Sequence, residues 1–339
     1  MKISLGTMQM GSSIPFQKSQ DLLTTYFERG HKKIDTAQMY PVPSSSKNFC
    51  FTEEIIGDWL NQLSNSDKDK MMISTKFPNF SKKLHYLRES NKRVISYSEL
   101  KLSLISSLER LNLSTLDIYF IHWPSRSTNN FGKSFYAESG TENQICEELE
   151  ETYSNLLRLK DEGFCRKIGV SNETSVGLHC LKLATSKSVN LDLYLQNSYN
   201  ILNPTLDINI KEFCIATGIK IQAHSPLAFG VLTGKYQNNQ LPINSRRYEY
   251  PNYFDRYLTK RSFEFVSELQ KISEEFDINI IELSYRFLLN NEALSEIVVG
   301  VKNKEQLDFA LSSINKGSLP ASVFETIQNL LTNFGITSW

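Results

Sequence analysis

Four polar residues near the front of the chain have the types and the spacing to deliver a proton to a substrate. Asp35 ends a short apolar segment, and Tyr40 follows five residues later. The next two apolar segments end just before Lys76 and His122. If these segments are parallel strands of a barrel, their carboxyl ends lie at one face and the four side chains converge there. The sequence therefore predicts one cleft in which the Tyr40 hydroxyl lies within hydrogen-bonding reach of Lys76.

These residue types suit general acid catalysis. A free phenol has a pKa of about 10 and is a weak proton donor. A buried lysine ammonium beside Tyr40 would stabilise the phenolate and lower the phenol pKa, and a carboxylate would keep that lysine charged. His122 could orient the carbonyl oxygen that receives the proton. A barrel aldolase that forms a Schiff base needs an uncharged lysine, so Asp35 beside Lys76 favours proton transfer.

Each of the four residues also has an ordinary structural explanation. An aspartate can cap a helix, a tyrosine or a histidine can pack in a core, and a lysine can lie on the surface. Taken singly, Tyr40 and His122 are better explained by packing. Because all four complementary residues fall at the ends of successive strands, their combination favours a functional site.

The elements that must position these residues alternate between strand and helix. Eight short strand-like segments are predicted at residues 2–5, 32–35, 71–75, 116–121, 166–170, 193–196, 220–223 and 296–299. Helical periodicity is clearest at 20–29, 52–63, 98–111, 145–162, 173–185, 206–217 and 305–313. Eight such strands can close a TIM barrel. The competing doubly wound sheet is disfavoured, since no G-x-G-x-x-G follows the first strand.

Several stretches extend the minimal barrel. Residues 125–144 and 225–259 are predicted loops after strand ends, 261–290 contain two helical segments, and 321–334 form an added terminal helix. Barrel active sites are built from loops at strand carboxyl ends, so the first two loops are candidate pocket walls. We see no linker or repeat and predict a single domain over residues 1–339.

Composition narrows the possible partners and compartment. Lys plus Arg and Asp plus Glu are equal at 37, so no charge excess indicates nucleic acid. No apolar run is long enough for a membrane span, and the lead before the first strand is too short for a signal peptide. The cysteines lack C-x-x-C spacing, and no histidine has metal-ligand spacing. These observations predict a cytoplasmic protein without a metal, in which all five cysteines are free thiols: Cys50, Cys146, Cys165, Cys180 and Cys214.

Ordered motifs along the chain resemble the aldo-keto reductase family, and its bacterial Tas-type branch in particular. They are MYPVP at 39–43, HWPSRSTNNFGK at 122–133, GVSNET at 169–174 and SPLAFGVLTGKY at 225–236. The resemblance implies a single TIM barrel whose catalytic tetrad is Asp35, Tyr40, Lys76 and His122. It also implies reduction of a small carbonyl substrate with NADPH, with NADH the less favoured coenzyme. Family members usually begin with a β-hairpin that plugs the barrel bottom, and no sequence for it precedes the first strand here.

The resemblance also assigns residues to the coenzyme. Ser171, Asn172 and Gln196 would hold the nicotinamide carboxamide, although Asn172 could instead cap the next helix. Gly230 and Lys235 belong to a predicted pyrophosphate loop. Arg246 is a further cationic candidate, which a one-residue slip would replace by Arg247. The remaining coenzyme residues are Gly6, Thr7, Met8, His224, Ser225, Pro226, Leu227, Gly300, Lys302 and Gln306, with Lys302 near the 2′-phosphate of NADPH.

Three positions depart from the family pattern. His224 replaces an aromatic residue that stacks on the nicotinamide, and Phe309 and Ala310 replace Glu and Asn that contact the adenine. Trp123 is predicted to be a wall of the substrate pocket, or else a buried residue at the barrel top.

The alternative function is a nucleotide-binding regulatory subunit with little turnover, as some relatives of this fold are. Neither the substrate nor the oligomeric state follows from the sequence.

Overall fold

Eight parallel strands form a closed barrel, which confirms the predicted fold class. The computed structural model describes residues 3–88, 90–131, 140–186 and 192–335, without the side chains of residues 142 and 239. Each strand pairs with the next and the last pairs with the first. The strands are β1 Ile3–Gly6, β2 Lys33–Asp35, β3 Met72–Phe77, β4 Leu116–Ile121, β5 Cys165–Ser171, β6 Leu193–Ser198, β7 Lys220–His224 and β8 Leu294–Val299.

Helices surround the barrel and follow the strands in the alternation that the sequence indicates. Three predicted helix ends carry glycines with φ values of +80°, +84° and +74°, at Gly30, Gly163 and Gly218, as helix C-termini favour. The helices are α1 Phe16–Glu28, α2 Phe51–Leu60, α3 Asn65–Lys68, α4 Tyr97–Leu111, α5 Glu142–Asp161, α6 Ser175–Thr185, α7 Thr205–Asn209, α8 Lys211–Thr217, α9 Arg246–Glu249, α10 Lys260–Glu275, α11 Ile280–Leu288, α12 Lys304–Asn315 and α13 Ala321–Phe334.

The barrel strands are apolar on both faces because helices cover the outside and side chains fill the inside. In β4 the side chains of Leu116, Ile118, Tyr119, Phe120 and Ile121 are all buried. A strand without a solvent face shows no alternation of polar residues, so these strands appear in the sequence as short continuous apolar segments. This rigid core holds the polar residues that end β2, β3 and β4.

A buried ion pair ties two helices to the strand that carries Lys76. Glu53 of α2 is fully buried and accepts from Arg110 of α4 at 2.7 Å and from the hydroxyl of Thr75 in β3 at 2.6 Å. Gly57 lets α2 and α4 approach closely, because an added Cβ would collide with the backbone of Arg110. Thr75 immediately precedes Lys76, so this packing fixes the backbone from which the lysine extends.

Several predicted helices are observed with shifted ends; the helix predicted at 20–29, for example, is α1 Phe16–Glu28, and the one predicted at 52–63 is α2 Phe51–Leu60. Two further differences have an identifiable cause. The helix predicted at 206–217 is divided into α7 and α8, because Ile210 leaves the helical region with φ −127° and ψ −31°. The helix predicted from residue 173 begins at Ser175, with Thr174 as its N-cap residue. The carboxylate of Glu173 instead binds Arg126 at 2.6 Å, which anchors the loop after β4 to the end of β5.

The prediction of five free thiols is wrong for two cysteines. Cys146 of α5 and Cys180 of α6 form a disulfide across the packed helices, with their Cα atoms 5.0 Å apart. They lie 34 residues apart in the chain, so only the packing of α5 on α6 brings them together. Cys50, Cys165 and Cys214 are free and buried. Burial raises the pKa of each of these three thiols to about 12.

The two predicted pocket loops lie at the carboxyl ends of the strands. The loop over 225–259 contains 3₁₀ turns and the short helix α9. In the loop over 125–144, residues 132–139 lie outside the described part of the chain, as do Gly132 and Lys133 of the motif at 122–133. Among the helices described here, none has the length and apolarity that crossing a membrane requires.

Candidate active site

Asp35 and Lys76 form a buried ion pair where β2 and β3 end. The Lys76 ammonium is 1% exposed and donates to Asp35 Oδ2 and to the Thr36 carbonyl, each at 2.7 Å. Asp35 Oδ1 also accepts from the Ser74 hydroxyl at 2.9 Å and from Gln196 Nε2 at 2.7 Å. A buried ion pair requires such additional hydrogen bonds to offset its desolvation. Burial lowers the pKa of Lys76, and the charge of Asp35 and its hydrogen bond oppose that lowering. The arrangement fixes the ammonium and the carboxylate beside each other.

Tyr40 and His122 lie beside this pair. Lys76 Nζ is 5.6 Å from the centre of the Tyr40 ring, whose edge meets the His122 ring at a centroid distance of 5.8 Å. The four residues of the predicted tetrad therefore come together. Among the described residues, however, no hydrogen bond joins the Tyr40 hydroxyl to Lys76, whose recorded hydrogen bonds go to Asp35 and Thr36.

The protonation equilibria of the site are governed by burial. Burial raises the pKa of Tyr40 well above its ordinary value; the Asp35 charge adds to this rise and Arg246 opposes it. The expected lowering by Lys76 is thus not the net result, because Asp35 balances the lysine charge and desolvation of the phenolate dominates. Burial, followed by the Lys76 charge, lowers the pKa of His122 well below its ordinary value. Tyr40 is a neutral phenol and His122 a neutral imidazole, and no residue in the described ranges forms a hydrogen bond with the buried His122 Nδ1.

A cavity of about 940 Å³ opens above the tetrad. Of the residues predicted to be functional, only Lys76 does not line it, because Lys76 lies beneath Asp35. The predicted residues that line it are Gly6, Thr7, Met8, Asp35, Tyr40, His122, Trp123, Ser171, Asn172, Gln196, His224, Ser225, Pro226, Leu227, Gly230, Lys235, Arg246, Gly300, Lys302 and Gln306. Trp123 packs against His122 with ring centres 4.9 Å apart.

The serine and the two amide side chains predicted to bind the carboxamide are held in place by hydrogen bonds to one another and to neighbouring residues. Ser171 Oγ donates to the Gln196 carbonyl at 2.7 Å. Asn172 Nδ2 donates to Ser171 Oγ at 3.1 Å and to the His122 carbonyl at 3.0 Å. Gln196 Nε2 donates to Asp35 and, at 3.0 Å, to Gln222. Since α6 has Thr174 as its N-cap residue, the alternative role of Asn172 as a helix cap is wrong.

His224 is fixed in the wall of the cavity. Its Nδ1 lies 3.1 Å from Ser225 Oγ and its Nε2 lies 3.1 Å from Asn172 Oδ1. Because an amide oxygen can only accept, Nε2 carries the proton and the Ser225 hydroxyl donates to Nδ1. Burial, with smaller contributions from Lys76 and Arg256, lowers the pKa of His224 to about 3. The ring is therefore a neutral flat surface in an oriented position.

The loop after β7 presents cations around a glycine. An added Cβ at Gly230 would lie 2.9 Å from Lys235 Nζ, and Gly230 has a φ of +94° that glycine adopts without strain. Arg246 donates from Nε to Gln9 at 3.1 Å and lines the cavity, whereas Arg247 binds the Gln240 carbonyl and does not. Neither Lys235 nor Arg246 has a carboxylate partner within the described ranges. The donor set fits a pyrophosphate.

Lys302 lines the cavity, and its ammonium already has hydrogen-bond partners within the protein. Its ammonium donates to both carboxylate oxygens of Glu249, at 2.7 and 2.6 Å, and to the Asn244 carbonyl at 2.7 Å. Gln306 Oε1 accepts from the Lys302 backbone N–H at 2.9 Å. Phe309 also lines the cavity and is 38% exposed, whereas Ala310 is buried in the core.

Sequence reasoning missed several residues that line or shape the cavity. Tyr253 and Arg256 lie in the loop over 225–259, so that loop's prediction as a pocket wall was the available signal. Gln9 follows the predicted Met8 by one residue and binds Arg246. Glu249 had no signal, since its role depends on a contact with Lys302, 53 residues away.

The comparisons with known proteins agree with this geometry. The model of the Aldo/keto reductase family matches residues 2–332. The chain is 29% identical over 319 residues to Protein tas of Escherichia coli (strain K12), covering 92% of this chain and 89% of that protein. It is 32% identical over 252 residues to an aldo-keto reductase of Babesia bovis, covering 70% and 87%. The glycerol dehydrogenase structure from Gluconobacter oxydans has the same fold, with a TM-score of 0.70 at 19% identity over 98% and 92% of the two chains.

The architecture is a closed eight-stranded barrel with a cavity at the carboxyl ends of its strands. The family match over residues 2–332 shows which proteins the chain is related to. The chain belongs to the aldo/keto reductase family. It is an NAD(P)H-dependent oxidoreductase with a TIM-barrel fold.

Proposed function

We propose that the protein reduces an aldehyde or ketone to an alcohol, with Tyr40 as the proton donor. The observation that carries the proposal is the buried Asp35–Lys76 pair at 2.7 Å beneath a neutral tyrosine and a neutral histidine. A neutral phenol holds the proton that a developing alkoxide needs. Desolvated charges beneath it interact more strongly with that alkoxide than exposed charges would.

The carbonyl oxygen would lie between the Tyr40 hydroxyl and the ring of His122. The neutral imidazole of His122 lines the cavity and can direct a hydrogen bond to that oxygen, because its burial keeps it from competing for a proton. As negative charge develops on the oxygen, Tyr40 transfers its proton there. The fixed positive charge of Lys76, 5.6 Å from the ring centre, then stabilises the phenolate that remains.

The donor set of the cavity fits a nicotinamide dinucleotide. Such a coenzyme, when bound, supplies the hydride. Gln196 and Asn172 both line the cavity with side-chain amides, and His224 offers a flat neutral ring. Lys235 and Arg246, which have no carboxylate partner in the described ranges, provide positive charge around Gly230 for the pyrophosphate. We propose NADPH as the preferred coenzyme, with Arg246 and Lys302 as the cations nearest its 2′-phosphate.

Part of the cavity wall is apolar. Trp123, Phe80, Leu84, Met39 and Phe131 all line the cavity, and Trp123 packs against His122. They would exclude water around the carbonyl and favour a substrate with an apolar or aromatic body.

The test is a turnover assay over a panel of aldehydes, ketones and sugar carbonyls. Each is incubated with purified protein and NADPH, the absorbance of the reduced coenzyme is followed, and the alcohol product is identified. We expect at least one aldehyde to be reduced with catalytic turnover. Binding of NADPH without turnover on any carbonyl would contradict the proposal and favour a regulatory subunit.

A further inference from the structure

Every hydrogen-bond donor of the Lys302 ammonium is used within the protein. A lysine ammonium has three N–H donors and no acceptor. Here it contacts the two carboxylate oxygens of Glu249 at 2.6 and 2.7 Å and the Asn244 carbonyl at 2.7 Å. An anion that binds Lys302 must therefore share these donors with Glu249 or displace it.

The pair joins two parts of the cavity wall. Lys302 follows β8 and Glu249 ends helix α9 in the loop after β7. Both side chains are partly buried, with exposures of 23% and 20%. Gln306 and Phe309 line the same cavity as Lys302. If the proposed function is right, the adenosine ribose lies here.

We propose that Glu249 is a specificity-determining residue that weakens the discrimination between NADPH and NADH. This inference rests on the proposed function, because it takes this part of the cavity as the 2′-phosphate site. A 2′-phosphate must compete with the Glu249 carboxylate for Lys302 and also meets its like charge. A 2′-hydroxyl carries no charge and can donate to the same carboxylate, as acidic residues do in other NADH sites.

The effect of Glu249 should be competition and not exclusion. Partly exposed ion pairs contribute little net stability, so a phosphate with nearly two negative charges can draw Lys302 away from it. Arg246, which has no carboxylate partner in the described ranges, remains available nearby, since its guanidinium lies 3.1 Å from a Cβ placed on Gly300. NADPH can therefore still bind more tightly than NADH, but by less than two free cations would allow.

Glu305 offers a matched control. It lines the same cavity and is exposed, and within the described ranges no ion pair of Lys302 involves it. Changing Glu305→Gln removes the same charge from the same region without releasing the lysine. A difference between this variant and Glu249→Gln therefore reports the specific pair and not the general electrostatic potential.

The test is fluorescence titration of NADPH and NADH into the wild-type protein, Glu249→Gln and Glu305→Gln. Because one charge-assisted contact to phosphate is released, Glu249→Gln should bind NADPH about tenfold more tightly. NADH should bind no more tightly, and Glu305→Gln should change the NADPH to NADH ratio much less. Adding Lys302→Met to Glu249→Gln should abolish the gain. Thermal unfolding checks that each variant is folded.

The inference is overturned if Glu249→Gln leaves the NADPH to NADH ratio unchanged, if Glu305→Gln gives the same gain, or if the gain survives Lys302→Met. If Glu249→Gln is unfolded, Lys302→Met alone decides: a large selective loss of NADPH binding in the otherwise wild-type protein would mean that Glu249 does not hold the lysine back. Failure of the wild-type protein to bind either nucleotide would refute both the proposed function and this inference, whereas carbonyl turnover with an unchanged ratio would refute only the inference.

Discussion

Replacing Lys76 by methionine should separate the structural from the catalytic role of the buried ion pair. The substitution keeps the length and most of the volume of the side chain but removes an ammonium that is 1% exposed. Asp35 then loses its only ionic partner among the described residues and keeps the hydrogen bonds from Ser74 and Gln196. The variant therefore contains a buried carboxylate without a counter-charge.

Removing one partner of a buried pair typically costs about 3–5 kcal/mol in the free energy of unfolding. Because two donors to Asp35 remain, we expect a loss near the lower limit, about 3 kcal/mol. Turnover should fall by roughly 10²–10⁴-fold, the range for loss of general acid catalysis, since the phenolate of Tyr40 loses its positive neighbour. The double variant Lys76→Met, Asp35→Asn has no unpaired charge and should recover most of the stability but none of the turnover.

Denaturant unfolding gives the stabilities, and steady-state reduction of a good aldehyde gives the turnover. Coenzyme titration controls for damage to the cavity, since Lys76 does not line it. The reasoning is refuted if Lys76→Met is as active as the wild-type protein, or if Asp35→Asn restores turnover along with stability. Either result would mean that positive charge at residue 76 is not required.

Three further results are expected. NADPH should bind more tightly than NADH, with a difference in affinity that narrows as salt rises. Lys302→Ala should weaken NADPH binding alone and by less than about tenfold, because Glu249 already competes for the ammonium. Equal wild-type affinities in fluorescence titrations would contradict the NADPH assignment. Phe309→Ala should weaken the binding of NADPH and NADH by about 1–3 kcal/mol, because the adenine would lose an aromatic ring on which to stack. Calorimetric titration measures both affinities, and unchanged values would contradict stacking on Phe309. The pKa of His224 is about 3 in the folded protein and about 6.5 in the unfolded chain. Between these two pH values the unfolded state binds a proton that the folded state does not. The contribution of His224 to the free energy of unfolding is therefore complete above pH ~6.5 and is lost as the pH falls towards 3. Between pH 7 and 5, denaturant unfolding should show the wild-type protein losing about 1–2 kcal/mol more than His224→Phe, and parallel losses would count against a neutral buried imidazole.

The strand pattern was sufficient to predict the barrel and the convergence of the tetrad. Parallel strands in a closed barrel place their carboxyl ends at one face, so Asp35, Lys76 and His122 had to meet once their segments were recognised as strands. The lining of the cavity by Gly230 and Gly300 agrees with the resemblance, which assigned both glycines to the coenzyme, and they lie in the segments that follow β7 and β8. These features depend on local sequence and on the topology it implies.

Other features depend on tertiary contacts that no local pattern encodes. The Cys146–Cys180 bond requires α5 to pack on α6, and the occupied state of Lys302 requires Glu249 to approach from another loop. The pKa of Tyr40 depends on how deeply the phenol is buried, which its sequence neighbours do not determine. For such residues the sequence identified the chemical type correctly but not the partner or the electrostatic balance.

The most direct test of the central claim is the rate of carbonyl reduction by Tyr40→Phe. The substitution removes only the hydroxyl and preserves the ring that meets His122 edge-on. Tyr253→Phe is the matched control, because Tyr253 lines the same cavity and its hydroxyl has no assigned role. With a good aldehyde and saturating NADPH, turnover of Tyr40→Phe should fall by at least ~10²-fold, while its NADPH affinity and the turnover of Tyr253→Phe stay close to wild type. A Tyr40→Phe protein that reduces the aldehyde at a near-normal rate would show that Tyr40 is not the proton donor.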